Sequence, residues 1–72
     1  MPTRLRKRSV LIAGHATSVS LEDAFWDALA EIARTRGLSI NQLVTEIDQR
    51  REGNLSSAIR VFVLSAVRGS AS

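Results

Sequence analysis

Four basic residues near the start of the chain are the side chains best suited to a chemical role. Arg4, Arg6, Lys7 and Arg8 are four of the ten Lys and Arg residues, and guanidinium and ammonium groups bind phosphate. The remaining six basic and seven acidic residues give residues 9–72 a net charge of −1. Attraction to a polyanion such as DNA should therefore depend heavily on these four side chains.

Residues 1–8 are predicted to form a basic arm, and other roles for it stay open. A charged terminus can simply be disordered and solubilising. It can also face an anionic membrane surface, although it lacks the large apolar residues of an interfacial helix. Because guanidinium groups pair with phosphates and stack on bases, a small anionic nucleotide is a further possible ligand.

Enzymatic and metal chemistry find little support. His15 is the only histidine and there is no cysteine, so the ligand set of a zinc site is missing. No carboxylates are evidently paired, and the serines have no evident activating base. The four glycines are dispersed singly and do not form a phosphate-binding loop. We therefore expect no catalytic residues, no metal and no cofactor.

A short strand followed by two helices is predicted in the first two thirds of the chain. Residues 17–21 alternate in polarity as a strand does, and from about residue 22 to 36 the apolar spacing becomes helical, with Gly37 as a stop signal. Ser39 then reads as the N-cap of a second helix, in a capping box with Gln42. This helix should end near residue 49.

This order of elements, with the Gly-x-Ser-Ile-Asn turn between the helices, resembles the ribbon-helix-helix family, which includes the Arc, MetJ and CopG repressors. The resemblance covers residues 16–47. In that family the strands of two chains pair into an antiparallel ribbon that enters the major groove of DNA, and the second helix holds a phosphate at its N-terminus. The resemblance implies that Ala16, Ser18 and Ser20 face outward from the ribbon. It also implies that Ser39, Ile40 and Asn41 form the phosphate clamp.

The chemistry of these implied site residues leaves blander roles open. Ser39 can be a helix cap alone, Asn41 a solvated first-turn residue, and the ribbon serines a merely solvated strand face. Short hydroxyl side chains also discriminate poorly between bases, in contrast to Arg, Lys, Asn and Gln. A binder of low sequence specificity, using the arm, phosphate contacts and DNA shape, is therefore expected over a strongly specific repressor.

Residues 10–13 form a second β-prone run before Gly14, and two arrangements stay open. Gly14-His15 can be a type II′ hairpin loop that sets Val10 opposite Val19, with Ile12 opposite Thr17. Such a hairpin would widen the ribbon and challenge docking in a groove about 12 Å wide. Alternatively, Gly14 merely bends a longer strand.

A third helix is predicted over about residues 54–68, with Asn54 as its cap and Gly69 as its stop. Its apolar residues follow helical spacing: Leu55, Ala58, Ile59, Phe62, Val63, Ala66 and Val67. This stripe most simply packs across a dimer over the first two helices, and an exposed stripe would instead bind another protein. The folded domain should cover residues 9–69, with a tail at 70–72.

Length and composition favour a mainly α homodimer with a short β-ribbon. The chain has 72 residues and 44% apolar content, too little for a deep core, and a lone strand needs a partner for its backbone groups. The absence of an apolar run of about 20 residues or a signal peptide predicts a cytoplasmic protein, nucleoid-associated if it binds DNA. Two functions remain: a homodimeric regulator or antitoxin-like autoregulator that binds double-stranded DNA, and a ribbon-helix-helix scaffold that binds a protein partner.

Overall fold

The computed structural model describes residues 4–51 and 53–71, apart from the side chains of residues 70 and 71. The fold is mainly helical, with an N-terminal β-hairpin followed by three helices. The elements are β1 (Leu5–Ile12), β2 (His15–Glu22), α1 (Asp23–Thr35), α2 (Ile40–Arg50) and α3 (Leu55–Ala71). No helix in the described ranges is long and apolar enough to cross a membrane. The expected combination of a ribbon with two helices and an additional C-terminal helix is confirmed.

The hairpin turns one residue earlier than one of the two predicted arrangements places it. Its two loop residues are Ala13 and Gly14, with φ angles of 52° and 82°, and two positive φ angles are the mark of a type I′ turn. Val10 therefore lies opposite Thr17, and not opposite Val19. The predicted Gly14-His15 loop is wrong, and so is the alternative of a single bent strand.

This shift in pairing leaves the predicted faces of the hairpin intact. Each residue moves by two positions relative to the opposite strand, and side chains alternate with a period of two. Val10, Ile12 and Val19 are therefore buried as expected. Ser9, Leu11, Ala16 and Ser18 are exposed on the other face.

The predicted boundary between a basic arm and the ribbon falls inside a strand. β1 begins at Leu5, so Arg6, Lys7 and Arg8 are strand residues paired with β2. Of the predicted arm, residues 1–3 lie outside the described residues. The premise of a lone strand is also wrong, because β2 is paired within its own chain.

The core lies under the hairpin and between the three helices. Its buried residues are Val10, Ile12, Val19, Leu21, Trp26, Leu29, Ala33, Leu43, Val44, Ile47, Leu55, Ile59 and Val63. The stripe of α3 packs against α1, α2 and β2 of the same chain. It does not need a second chain for cover, contrary to the expectation, and Val67 at its end is exposed.

The helix starts follow the local signals, whereas the end of α3 does not. Ser39 and Gln42 form the predicted capping box of α2, and Asn54 Oδ1 accepts a hydrogen bond of 2.8 Å from the Ser57 N–H at the start of α3. Gly69 was expected to stop α3 but lies inside it. A glycine in a helix costs about 1 kcal/mol relative to alanine, which weakens a helix without ending it.

Candidate nucleic-acid interface

The outer face of the hairpin is open. Lys7 lies opposite Ser20, Ser9 opposite Ser18, and Leu11 opposite Ala16. Ala16 and Ser18 are exposed and Ser20 is half-buried. Because β1 lies beside β2 in the same sheet, it widens the ribbon without covering the face that carries the predicted ribbon residues.

The four basic residues of the predicted arm do not share one face. Arg6 lies opposite Leu21 and Arg8 opposite Val19, and opposite residues in an antiparallel pair point to the same side of the sheet. Since Leu21 and Val19 are buried, both arginines start from the core face, whereas Lys7 points from the outer face.

Both of these arginines contact α1. The Nε of Arg6 lies 3.0 Å from Oδ1 of Asp23, an ion pair without hydrogen-bond alignment, since this oxygen has no hydrogen-bond donor among the described residues. The guanidinium of Arg8 lies 5.1 Å from the ring centroid of Trp26. The side chain of Arg6 is nevertheless 60% exposed, so it reaches solvent at the rim of the ribbon.

The first turn of α1 holds the beginning of β1 through backbone atoms as well. The N–H of Asp23 donates to the carbonyl of Arg4 at 3.2 Å, which supplies a cap that the side chain of Glu22 does not provide. The indole Nε1–H of Trp26 donates to the carbonyl of Arg6 at 2.8 Å. The residues of the predicted arm are thus part of the folded structure from Arg4 onward.

The predicted phosphate clamp at the N-terminus of α2 is partly occupied by contacts within the chain. The N–H of Ser39 donates to Oε1 of Gln42 at 2.8 Å, and Oγ of Ser39 accepts from the N–H of Gln42 at 3.0 Å. The backbone N–H groups of Ile40 and Asn41 have no acceptor among the described residues. These two groups, at the positive end of the helix dipole, are chemically able to bind an oxyanion.

Asn41 has a structural contact that its predicted role did not include. Its Oδ1 accepts a hydrogen bond of 3.2 Å from the N–H of Leu11, and the hydroxyl of Thr45 donates to the carbonyl of Leu11 at 3.4 Å and to that of Asn41 at 2.8 Å. The first turns of α2 therefore satisfy both backbone groups of one residue on the outer edge of β1. This contact places the start of α2 directly beside the ribbon.

A charged pair joins the end of β2 to α3. Arg60 donates from Nε to Oε1 of Glu22 at 3.0 Å and also to Oε2 at 3.4 Å. These hydrogen bonds, followed by one from the backbone of Glu22, lower the pKa of the Glu22 carboxyl against an opposing effect of desolvation. Glu22 consequently stays ionised and reduces the positive charge of the ribbon.

Several of these residues were not predicted to shape the site. Trp26 was expected to be a packing residue, and nothing local in the sequence shows that its indole binds Arg6, 20 positions away. Thr45 and Arg60 carry no local signal either, since their partners lie 34 and 38 residues away. The described residues contain no group of three or more His, Cys, Asp or Glu side chains placed to hold a metal ion.

Comparison with known proteins identifies the class of this fold. A model of the ribbon-helix-helix domain matches residues 5–67, so the chain belongs to the ribbon-helix-helix family. Domains of this family typically bind DNA, are generally dimeric and are generally not enzymes. The resemblance noted in residues 16–47 is thereby confirmed and extended to both strands and most of α3.

A solved structure has the same architecture. It is that of an uncharacterized protein from Bordetella pertussis Tohama I, which is 33% identical and has a TM-score of 0.84. The match covers 97% of this chain and 61% of that one, so this chain spans less than two thirds of its length. No curated protein matches significantly.

Proposed function

We propose that the protein is a homodimeric DNA-binding protein that acts as a transcriptional regulator. The ribbon face and the N-terminus of α2 contact double-stranded DNA, and the basic residues of β1 add phosphate contacts. The observation that carries this proposal is the bond between Asn41 and Leu11. It sets the free N–H groups of α2 beside an uncovered two-stranded ribbon, which is the width that the major groove admits.

The charges on the ribbon suggest that binding is weakly specific. Lys7 is the basic side chain at the centre of the outer face, and its neighbours Ser9, Ser18 and Ser20 carry hydroxyls that can donate to or accept from several bases. Arg4 and Arg6 are exposed at the rim and are better placed for phosphates than for base edges. Most of the binding free energy should therefore come from phosphate neutralisation, which carries no sequence information.

Titration of a labelled DNA duplex at two salt concentrations tests the proposal. Lys7→Gln should weaken binding and reduce the slope of log affinity against log salt by about 1, because it removes one phosphate contact. Arg68→Gln is the matched control, since it removes the same charge from an exposed site on α3. Binding that ignores salt, or equal loss in both variants, would contradict the proposal.

The alternative function, a protein-interaction module or antitoxin-like partner binder, is supported by a different observation. Val61, Leu64 and Val67 on α3 are more than half exposed, although α3 already buries another face. If this strip binds a different protein, DNA affinity is not required. Duplex titration separates the two functions, since the alternative predicts no salt-sensitive DNA binding by the isolated chain.

A further inference from the structure

Helix α3 is apolar on two opposite faces. One face carries Leu55, Ile59 and Val63, which are buried in the core. Val61, Leu64 and Val67 are 63%, 54% and 53% exposed, and at about 100° per residue Leu64 points almost directly away from the buried face. A helix that is apolar all round is normally covered on both sides, so this strip needs a partner that one chain does not supply.

We propose that the partner is a second copy of this chain, with the two α3 helices packed antiparallel about Leu64. The inference rests on the homodimer in the proposed function and specifies its surface. The strip has the symmetry that a two-fold axis requires, because Val61 and Val67 lie three residues before and after Leu64. Leu64 then meets Leu64 of the second copy, and Val61 meets its Val67, which is an isologous contact.

The surroundings of the strip extend it to the size of a stable interface. A cleft of about 460 Å³ between α2 and α3 borders Val61 and is lined in part by Leu43, Ile47 and Phe62. A second cleft of about 590 Å³ between α1 and α3 borders Val67. A stable dimer buries about 800 Å² per partner, more than three side chains provide, and these flanking apolar clefts supply the additional surface.

The charges on this face of α3 fit the same arrangement. Arg68 is exposed and has no ion pair among the described residues. Antiparallel packing about Leu64 brings Arg68 of one copy beside Arg60 of the other, since these positions are equally distant from residue 64. Glu22 is bound to Arg60, and its carboxylate offers an acceptor that offsets the repulsion between the two guanidinium groups.

The hairpin argues against the other symmetric arrangement, in which two β2 strands pair. β2 already has β1 as a neighbour, so pairing along its free edge would give a four-stranded ribbon. A ribbon of that width does not fit a major groove about 12 Å wide. Packing through α3 leaves each ribbon two-stranded.

Sedimentation equilibrium of the full chain tests the proposed surface. Leu64→Glu should raise the dimer dissociation constant by about 100-fold or more, because it buries an unpaired charge at the two-fold axis. Leu11→Glu is the matched control: Leu11 is 55% exposed, close to the 54% of Leu64, but lies on the ribbon. The control should leave the dissociation constant unchanged.

A cross-link gives a second readout that does not depend on weakened association. The chain has no cysteine, so Leu64→Cys introduces a single thiol that the two-fold axis places beside its counterpart. Mild oxidation should convert this variant to a covalent dimer, whereas Leu11→Cys should stay largely monomeric.

Three results would overturn this assignment. They are a wild-type chain that stays monomeric at high concentration, a Leu64→Glu variant that stays dimeric, and dissociation caused only by Ser18→Pro at the edge of β2. Duplex titration of the same variants keeps the two proposals apart. A dimer that depends on Leu64 but does not bind DNA contradicts the DNA function alone, and DNA binding with an unaffected Leu64→Glu dimer contradicts the α3 surface alone.

Discussion

At the scale of single residues, the tip of the hairpin carries a conformational cost. Ala13 has a φ of 52°, in the left-handed region where a Cβ atom is unfavourable by about 1–2 kcal/mol. Gly14 adopts its φ of 82° without that cost. The type I′ turn therefore has the preferred residue at its second position and an unfavourable one at its first.

Ala13→Asn should stabilise the protein by about 0.5–1 kcal/mol, because Asn-Gly is the preferred pair for a type I′ turn and asparagine tolerates positive φ. Urea denaturation followed by circular dichroism measures the change. Ala16→Asn, in the neighbouring strand, is the control and should be neutral or slightly destabilising. A loss of stability in Ala13→Asn would show that the turn does not have this geometry in solution.

At the scale of elements, β1 is held at both ends by different helices. The first turn of α1 binds the carbonyls of Arg4 and Arg6, and the first two turns of α2 bind Leu11 through Asn41 and Thr45. The start of α2 therefore has a structural task in addition to any contact with phosphate.

Asn41→Ala separates these two tasks. It should destabilise the free protein by about 1 kcal/mol, since the N–H of Leu11 loses its acceptor, and hydrogen exchange at the Leu11 amide should accelerate. Gln49→Ala, which alters an exposed polar residue of the same helix, is the control. If Asn41→Ala leaves exchange at Leu11 unchanged, the side chain does not hold β1.

The elements that the sequence specifies well are those with local signals. Ser39 and Gln42 are three residues apart and cap each other, so the start of α2 is readable from the pattern alone. The alternation of Val10, Ile12 and Val19 likewise predicts which face of the ribbon is buried. The turn is harder, because Ala13-Gly14 has no strong sequence preference for a type I′ loop.

Contacts distant in sequence account for what could not be predicted about the candidate site. Leu11 and Asn41 are 30 residues apart, and the position of α2 against β1 depends on the packed core. The same holds for Arg6 and Arg8, whose side depends on the register with β2. The sequence identifies these residues as basic, but only the fold shows which of them face α1.

At the scale of the whole molecule, the first residues contribute both charge and structure. Removing residues 1–8 takes away half of β1, the carbonyl that caps α1 and the acceptor of the Trp26 indole. A loss of DNA binding in such a truncation would therefore not by itself report on charge.

Deletion of residues 1–8 should lower the free energy of unfolding by about 2 kcal/mol or more, because two hydrogen bonds worth about 1 kcal/mol each disappear together with strand pairing. Thermal denaturation measures this loss. Lys7→Gln is the comparison that removes charge from the outer face while leaving the backbone bonds, and it should have almost no effect on stability. Equal stability of the truncated and full chains would contradict the structural role of β1.

The turn at Ala13-Gly14 also determines how the ribbon responds to dilution. Two strands joined by two residues meet at an effective concentration that the linker sets, independent of how many molecules are present. The pairing of β1 with β2 is therefore a first-order equilibrium, unlike the pairing of strands from separate chains. The ribbon should consequently persist at protein concentrations far too low to hold two copies together, so its formation is uncoupled from cellular abundance.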